Sequence, residues 1–447
     1  MNFDIIKNEL IAEANNAGLE EYEIFFMEGA GVSAETLKHE VSAFSSEVGG
    51  GVCFRCVVNG HMGSASTEVF TKEEAKAVVA RAKENALNIE SADKAIIFEG
   101  SKNYAELNLP KFTSKSTAEI KELVLDLEKK IYEENELVVD GTQAYAYQSN
   151  TKLALINSKG LNLSNEVGTC GVFAQAVVQK DGESQEAFCA ESSFDEEKMT
   201  ALPKKAVDEA LAKLGASSVE SGKYDIIFSG KQMRALLSTF SSIFSGRSAL
   251  LGLSLLKGKE GEKIASDRVT LVDDPMREGY PMQTSFDGEG VATYRKNVIE
   301  NGTLKTLLYD LSTADRVGVE STGNGQRSSY ADAVSIRPYS FYLEAGNINK
   351  DELVAKVSDG IYITALNGLH AGANSNTGDF SIDSAGFRIK DGKLCEAVKS
   401  FVISGNFFDL LKNVEDLSCD IDFGMPSGFT VYGSPDVLVR GMSIAGK

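Results

Sequence analysis

Histidine is nearly missing from this chain. Only His39, His61 and His370 occur in 447 residues. No two have the i, i+4 spacing that lets one helix face hold a metal. A three-histidine site would need distant segments to converge, and a Ser–His or Cys–His nucleophile could draw only on these three. His39 and His61 fall in segments that read as neighbouring strands, and all three are expected to be partly buried or surface side chains. Tryptophan is absent, and the six cysteines are too sparse for a disulfide scaffold. No apolar run approaches the roughly 18 residues of a membrane span. The longest apolar patch, near Ala249–Leu256, is broken by Gly and Ser. The N-terminal MNFDIIKNELIAEANNAG has no basic region and no continuous apolar stretch, so no signal peptide is expected. These absences place the protein in the cytoplasm, without membrane contact. Basic clusters are missing as well. The net charge is -20, which repels phosphate backbones and argues against nucleic-acid binding. Arg327, Arg337 and Arg440 stand almost alone among neutral residues.

What is present suits an ordinary globular protein. The chain is 43% hydrophobic and 25% charged, and its length calls for two or three domains. Phe3, Ile6, Leu10 and Ala14 recur at helical spacing. Extended segments follow at Glu21–Glu28, Val32–Glu47 and Val52–Thr67, with a tight turn at Asn59-Gly60. A helix starts at Thr71, with Glu74 completing a capping box. Leu107–Lys115 reads as a linker. The next helix is capped by Ser116 and Glu119 and carries Ile120, Leu123, Val124, Leu127 and Ile131 on one stripe. Strands Gln143–Gln148, Leu153–Asn157, Val172–Gln179 and Gln185–Glu191 lead to a helix from about Asp195 to Leu214. Lys231–Phe244 reads as one helix with Met233, Leu236, Leu237, Phe240 and Phe244 inward. Beyond it strands dominate, punctuated by Asp287-Gly288, Asn301-Gly302, Asn324-Gly325 and Asp391-Gly392. The expected class is α+β: an N-terminal α/β-type layer domain, then a larger, mostly antiparallel β-rich C-terminal domain. The expected boundaries are 1–112, 113–222 and 223–447, the middle segment being a domain or a continuation of the first.

Motifs for common chemistries are absent. There is no P-loop, no GxGxxG after a strand and no GxSxG elbow. Ser254-Leu-Leu-Lys257 matches SxxK, a pattern short enough to arise by chance. Cys53-Phe-Arg-Cys56 is a CxxC within a strand-like run. Residues three apart on a strand face opposite ways, so the two thiols should share neither a metal nor a disulfide. The segment Gly368–Phe380 is dense in glycine and hydrogen-bonding side chains. His370, Asn374, Thr377 and Asp379 could bind an extended peptide, or the segment could be a turn-rich connection that satisfies its own backbone. Both readings stand at this level.

Three stretches carry a resemblance: Gly368–Ser381 (GLHAGANSNTGDFS), Ile403–Leu411 (ISGNFFDLL) and Ala265–Pro275 (ASDRVTLVDDP). Gly50–Val58 with Asn59-Gly60, and Tyr432-Gly-Ser-Pro435, add to it. Together they make the chain similar to the TldD/PmbA peptidase family, whose members are also known as modulators of DNA gyrase. The GLHAG form resembles the PmbA (TldE) branch. In the TldD branch a helix before the VDD strand carries HExxxH, whose histidines hold zinc while the glutamate activates water. The resemblance puts Ser238 and Thr239 at the His-Glu positions and Ile243 at the second His, with Cys419 near a family cysteine ligand. It therefore implies no catalytic residues, metal or cofactor in this chain, and zinc only in a TldD-like partner. It further implies a cytoplasmic subunit that helps process unfolded peptides, bound as an added strand, and a homodimer when the partner is absent. The competing expectations are an independent hydrolase using His370, Asp379 or Asp273-Asp274, and a gyrase-related regulatory binding protein.

Overall fold

The structure is a computed structural model that describes residues 3–90, 93–110 and 113–447. It is α+β, with mainly antiparallel sheets. The N-terminal part contains α1 (Phe3–Asn16), β1 (Tyr22–Leu37), β2 (Glu40–Val58), β3 (His61–Thr67) and α2 (Lys72–Asn88). It continues with α3 (Thr117–Glu134), β4 (Gln143–Asn157), β5 (Asn162–Lys180), β6 (Glu183–Glu191) and α4 (Glu196–Leu211). Its strands form one sheet of order β3-β2-β1-β4-β5-β6. The middle segment thus shares a sheet with the first, because β1 pairs along its length with β4. The expected boundary at 112, like part of the expected linker, lies outside the described residues.

Side chains alternate across a strand, and here the alternation divides the sheet cleanly. Ile24, Phe26, Phe54 and Cys56 pack under α1 and α2. Ala144, Ala146, Val172 and Ala174 pack under α3 and α4. All four helices therefore lie on one face. The other face presents Phe25, Cys53, Leu153 and Leu155, which pack against Tyr280, Phe286, Tyr339 and Phe429 of the C-terminal part. Cys53 and Cys56 fall on opposite faces, as the spacing predicts, and both are buried free thiols.

Helix starts follow their side-chain signals. Thr71 accepts a hydrogen bond from Glu74 N, and Ser116 with Glu119 completes a reciprocal capping box. The extended segments around Gly31 and Gly49–Gly51 run through the glycines as two unbroken strands rather than separate pieces. Their hairpin turns at Lys38-His39, both with positive φ, a turn chemistry that lacks the usual Asn or Gly. His39 and His61 consequently sit at the two ends of the 19-residue β2 and not side by side. The ring of His39 lies 4.5 Å from that of Tyr132.

The C-terminal part holds two larger sheets. In one, β7 (Gly222–Phe228) joins strands Asp359–Asn367, Asp379–Lys390, Lys393–Asn406, Val437–Ala445 and Val414–Leu417. Strands Lys393–Asn406 and Val437–Ala445 also pair with each other, so the sheet closes on itself like a barrel. β7 pairs in parallel with Asp359–Asn367. The second sheet includes Leu271–Asp273, Ser340–Leu343 and Val431–Ser434. Between the two lies α5 (Gly230–Phe240), whose Met233, Leu236, Leu237 and Phe240 are fully buried. Phe240 stacks on Phe407 with centroids 4.7 Å apart. The predicted helix Lys231–Phe244 stops being α-helical at Phe240 and tightens into a 3-10 turn over Ser241–Phe244.

Candidate functional site

α5 starts hard against the sheet. A side chain at Gly230 would come within 2.4 Å of the Ser434 carbonyl, so glycine is needed for this close approach. Gly230 N donates to Asp436 Oδ1 at 2.7 Å, and Gln232 Nε2 donates to the Thr364 carbonyl at 2.6 Å. The helix end and the 3-10 turn border a recess of about 330 Å3. Ser238, Ser241, Ser242 and Ser245 line it, with Arg337 and Tyr432. Tyr432 donates to Ser241 Oγ at 2.9 Å, and burial raises its phenol above the ordinary value. Hydroxyls and one guanidinium can bind a carbonyl or carboxylate. They supply no group that takes a proton from water near neutrality.

The three sequence-singled positions of this region point apart. Ser238 is exposed. Thr239 is half-buried and donates its hydroxyl to the Ala235 carbonyl at 2.9 Å. Ile243 is fully buried in the main core. The stretch around His370 behaves differently. His370 is exposed on the short helix Leu369–Gly372. Asn374 Oδ1 accepts from the backbone of Asn376 and Thr377, and Thr377 Oγ1 accepts from Asp379 N. Asp379 accepts from Asn406 Nδ2 at 2.9 Å, and the hydrogen bonds from Asn406 and Thr377 hold its carboxyl below the ordinary value. Asn374, Thr377 and Asp379 therefore meet in one loop, where their side chains bond the loop itself.

The other candidates are committed elsewhere. Asp273 is fully buried, 3.1 Å from Lys296 Nζ, and accepts from Asn324 and from Tyr339 N. Asp274 accepts from Met276 N. Ser254 donates to the Ile243 carbonyl at 2.6 Å, whereas Lys257 reaches the Leu250 carbonyl, so no Ser–Lys pair forms. Cys419 is exposed, with its sulfur 3.6 Å from the Asp420 carboxylate.

Three domain models of the PmbA/TldA metallopeptidases match in order: domain 1 over residues 22–86, the central domain over 110–214 and the C-terminal domain over 221–446. The chain belongs to this family. A metalloprotease of Methanothermobacter thermautotrophicus is 31% identical over 328 residues, 69% of this chain and 70% of the relative. A PmbA-homologue metalloprotease of Buchnera aphidicola is 28% identical over 221 residues, 49% of this chain and 47% of its own. The crystal structure of a proposed DNA gyrase modulator from Thermotoga maritima superposes with a TM-score of 0.89 at 28% identity, covering 99% of this chain and 100% of that one. TldE from Thermococcus kodakarensis shares the fold, with a TM-score of 0.87 at 24% identity over 99% and 100% of the two chains.

Family membership raises the question of a metal. Zinc takes three or four imidazole, thiolate or carboxylate donors at one point. The α5 region offers an exposed serine, a threonine bonded to its own helix and a core isoleucine. These residues do not fit zinc. Among the described residues, no group of three or more His, Cys, Asp and Glu side chains is placed to hold a metal ion.

Sequence reasoning missed a cluster of buried charged side chains. At the junction of the two parts, Glu23 of β1 is salt-bridged to Arg327 and lies 2.7 Å from Arg55 of β2. Glu23 and Arg327 are almost fully buried. Arg327 also lies over Phe25, 4.4 Å from the ring centroid. Next to them, Asp287 accepts from the backbone of Glu289, Val291 and Gly325, and Glu289 accepts from Leu311 N at 2.9 Å. Burial raises the carboxyl of Asp287, and burial with the charge of Asp287 raises that of Glu289. The signal available in sequence was the isolation of the arginines. Arg327 proves buried, Arg337 lines the recess, and Arg440 pairs with Asp225 at 2.6 Å.

Proposed function

We propose that this chain is a PmbA/TldE-like subunit of a cytoplasmic metallopeptidase that processes or degrades unfolded peptides. It brings no metal centre of its own and works with a TldD-like partner that holds the zinc. One observation carries this reading: Ile243 is sealed in the core while Ser238 faces solvent. The polypeptide that forms the recess thus carries no gathered set of donors, although the fold around it is that of the family. The recess keeps hydroxyls, Tyr432 and Arg337, groups suited to holding a peptide rather than cutting it. Among the described residues, no helix is long and apolar enough to cross a membrane.

The independent-hydrolase alternative is less well supported. Asp379 and Asp273 have carboxylates already engaged by Asn406 and by Lys296. The test combines the purified chain with a TldD-like metallopeptidase and an unfolded peptide, with metal content measured for each protein. Cleavage should require the partner, and zinc should travel with the partner. The chain alone should sediment as a homodimer. Full peptide cleavage by this chain alone, abolished by His370→Ala or by chelation, would reject the reading.

A further inference from the structure

The helix-free face of the N-terminal sheet ends in a cleft against the C-terminal part. Its volume is about 550 Å3, within the range of ligand pockets. β6 is the last strand of its sheet, so its outer edge is not covered by another strand. Two ammonium groups close on that edge. Lys213 Nζ donates to the Glu186 carbonyl at 2.6 Å, and Lys231 Nζ to the Phe188 carbonyl at 2.9 Å. Those carbonyls are two residues apart, about 7 Å along the strand.

Four cations line the cleft, and they divide into two kinds. Arg234 is paired with Asp422 and Lys399 with Glu183. Lys213 and Lys231 form no salt bridge among the described residues. The nearby Glu186 carboxylate accepts instead from Gln175 at 3.3 Å. Burial and the charge of Lys231 push the Lys213 ammonium below its ordinary value, against the opposing pull of Glu209 and Glu186. Two ammonium groups without a salt-bridge partner on a partly desolvated edge favour an anion.

An aromatic row runs up to them on the same face. Tyr145 and Phe173 have centroids 5.3 Å apart, and Phe173 and Phe188 5.1 Å. Phe188 is 44% exposed. Across the cleft, strand Asp359–Asn367 loses its β7 partner after Ile363, so Leu366 and Asn367 line the space with a free edge.

We propose that this cleft binds the C-terminal carboxylate of an extended peptide, with Lys213 and Lys231 as its anion receptors and the Tyr145–Phe173–Phe188 row receiving the apolar side chains before it. A carboxylate has two oxygens to offer two ammonium groups, and alternate side chains of an extended chain fall on one face. The assignment rests on the peptide-subunit reading for the identity of the occupant only.

The test uses the full chain and fluorescence anisotropy with three labelled peptides. One is unstructured and ends in Leu-Phe with a free carboxylate. The second is its C-terminal amide. The third is the amide carrying one extra internal glutamate, which restores the net charge. The free acid should bind about tenfold tighter than either amide. Lys213→Gln with Lys231→Gln should make all three equal, and Lys231→Gln alone should remove part of the preference. Phe188→Ser should weaken acid and amide alike, an effect that does not depend on the double variant folding. Equal affinity for acid and amide overturns the proposal. So does failure of every peptide to bind, or an anion effect reproduced by inorganic phosphate without peptide preference. Partner-dependent cleavage judges the subunit reading separately, since it can succeed while the acid–amide preference fails.

Discussion

The charged junction and the α5 recess place polar groups under opposite conditions. At the junction, Glu23, Arg327, Asp287 and Glu289 are buried together, with Arg55 half-buried against Glu23. At the recess, serine hydroxyls with Tyr432 and Arg337 line an accessible hollow. Buried ionisable clusters are a usual mark of active sites. Here the cluster joins β1 and β2 to the C-terminal part: Glu23 Oε1 holds both arginines, Asp287 and Glu289 accept from backbone N–H groups, and Glu23 Oε2, Arg55 Nε and Arg327 Nε are buried without a hydrogen-bond partner. The contrast sets a buried, charged seam between the two parts of the fold against an accessible, hydroxyl-lined hollow. The hollow at α5, where the family resemblance places the metal site, is lined by serine hydroxyls, Tyr432 and Arg337 beside Leu308, Ile336 and Pro338.

That contrast can be broken in several ways. The largest effect is expected at Arg327. Arg327→Met leaves Glu23 in the dry with one partner fewer, and should cost about 3–5 kcal/mol. Urea unfolding measures this, and a cost below about 1 kcal/mol would mean the seam is no better than a surface pair. Next comes the attempt to restore the family motif with Ser238→His, Thr239→Glu and Ile243→His. The triple variant should retain no zinc through gel filtration. It should lose about 2–4 kcal/mol, mostly from a polar ring forced into the core site of Ile243. Stoichiometric zinc would erase the distinction between seam and recess.

A pH experiment sharpens it further. Glu289 has its carboxyl raised to about 8 by burial, then Asp287, with Arg55 opposing. A raised carboxyl binds its proton more tightly folded than unfolded. Its stabilising contribution is therefore complete below the unfolded value of about 4.3 and is lost as pH rises toward the folded one. Stability should fall between these limits, and Glu289→Gln should flatten that part of the denaturant-midpoint profile. The smallest effect is expected at the recess. Ser241→Ala removes the acceptor of Tyr432 and should cost about 1 kcal/mol by urea unfolding. A loss near that of Arg327 would show that the recess is also a structural seam.

Much of the fold was legible because its signals are local. Thr71 and Ser116 cap helices through atoms three residues away. Asn59-Gly60, Asn301-Gly302 and Asp391-Gly392 turn hairpins as expected. The CxxC spacing correctly separated Cys53 from Cys56. Other features carried no local signal. Lys38-His39 turns the longest hairpin without Asn or Gly, so the sequence there has the pattern of continuous extended chain. The loop from Asn374 to Asp379 reads in sequence as either a ligand-binding or a self-satisfied segment, and its side chains bond the loop itself. Lys213 and Lys231 meet only because both reach the edge of β6.

Alone, the sequence determined the helix and strand periods, the scarcity of histidine and the hydrophobe at position 243, because each depends on residue type or on neighbours within a few positions. Tertiary structure decided the rest. Glu23 and Arg327 are 304 residues apart, and no pattern of side chains along the chain specifies that they meet. Their pairing, the closure of the C-terminal sheet and the cleft beside β6 arise from strands that find partners across the fold. The physical reason is that burial raises the energetic weight of a charge only once distant segments have excluded water from it.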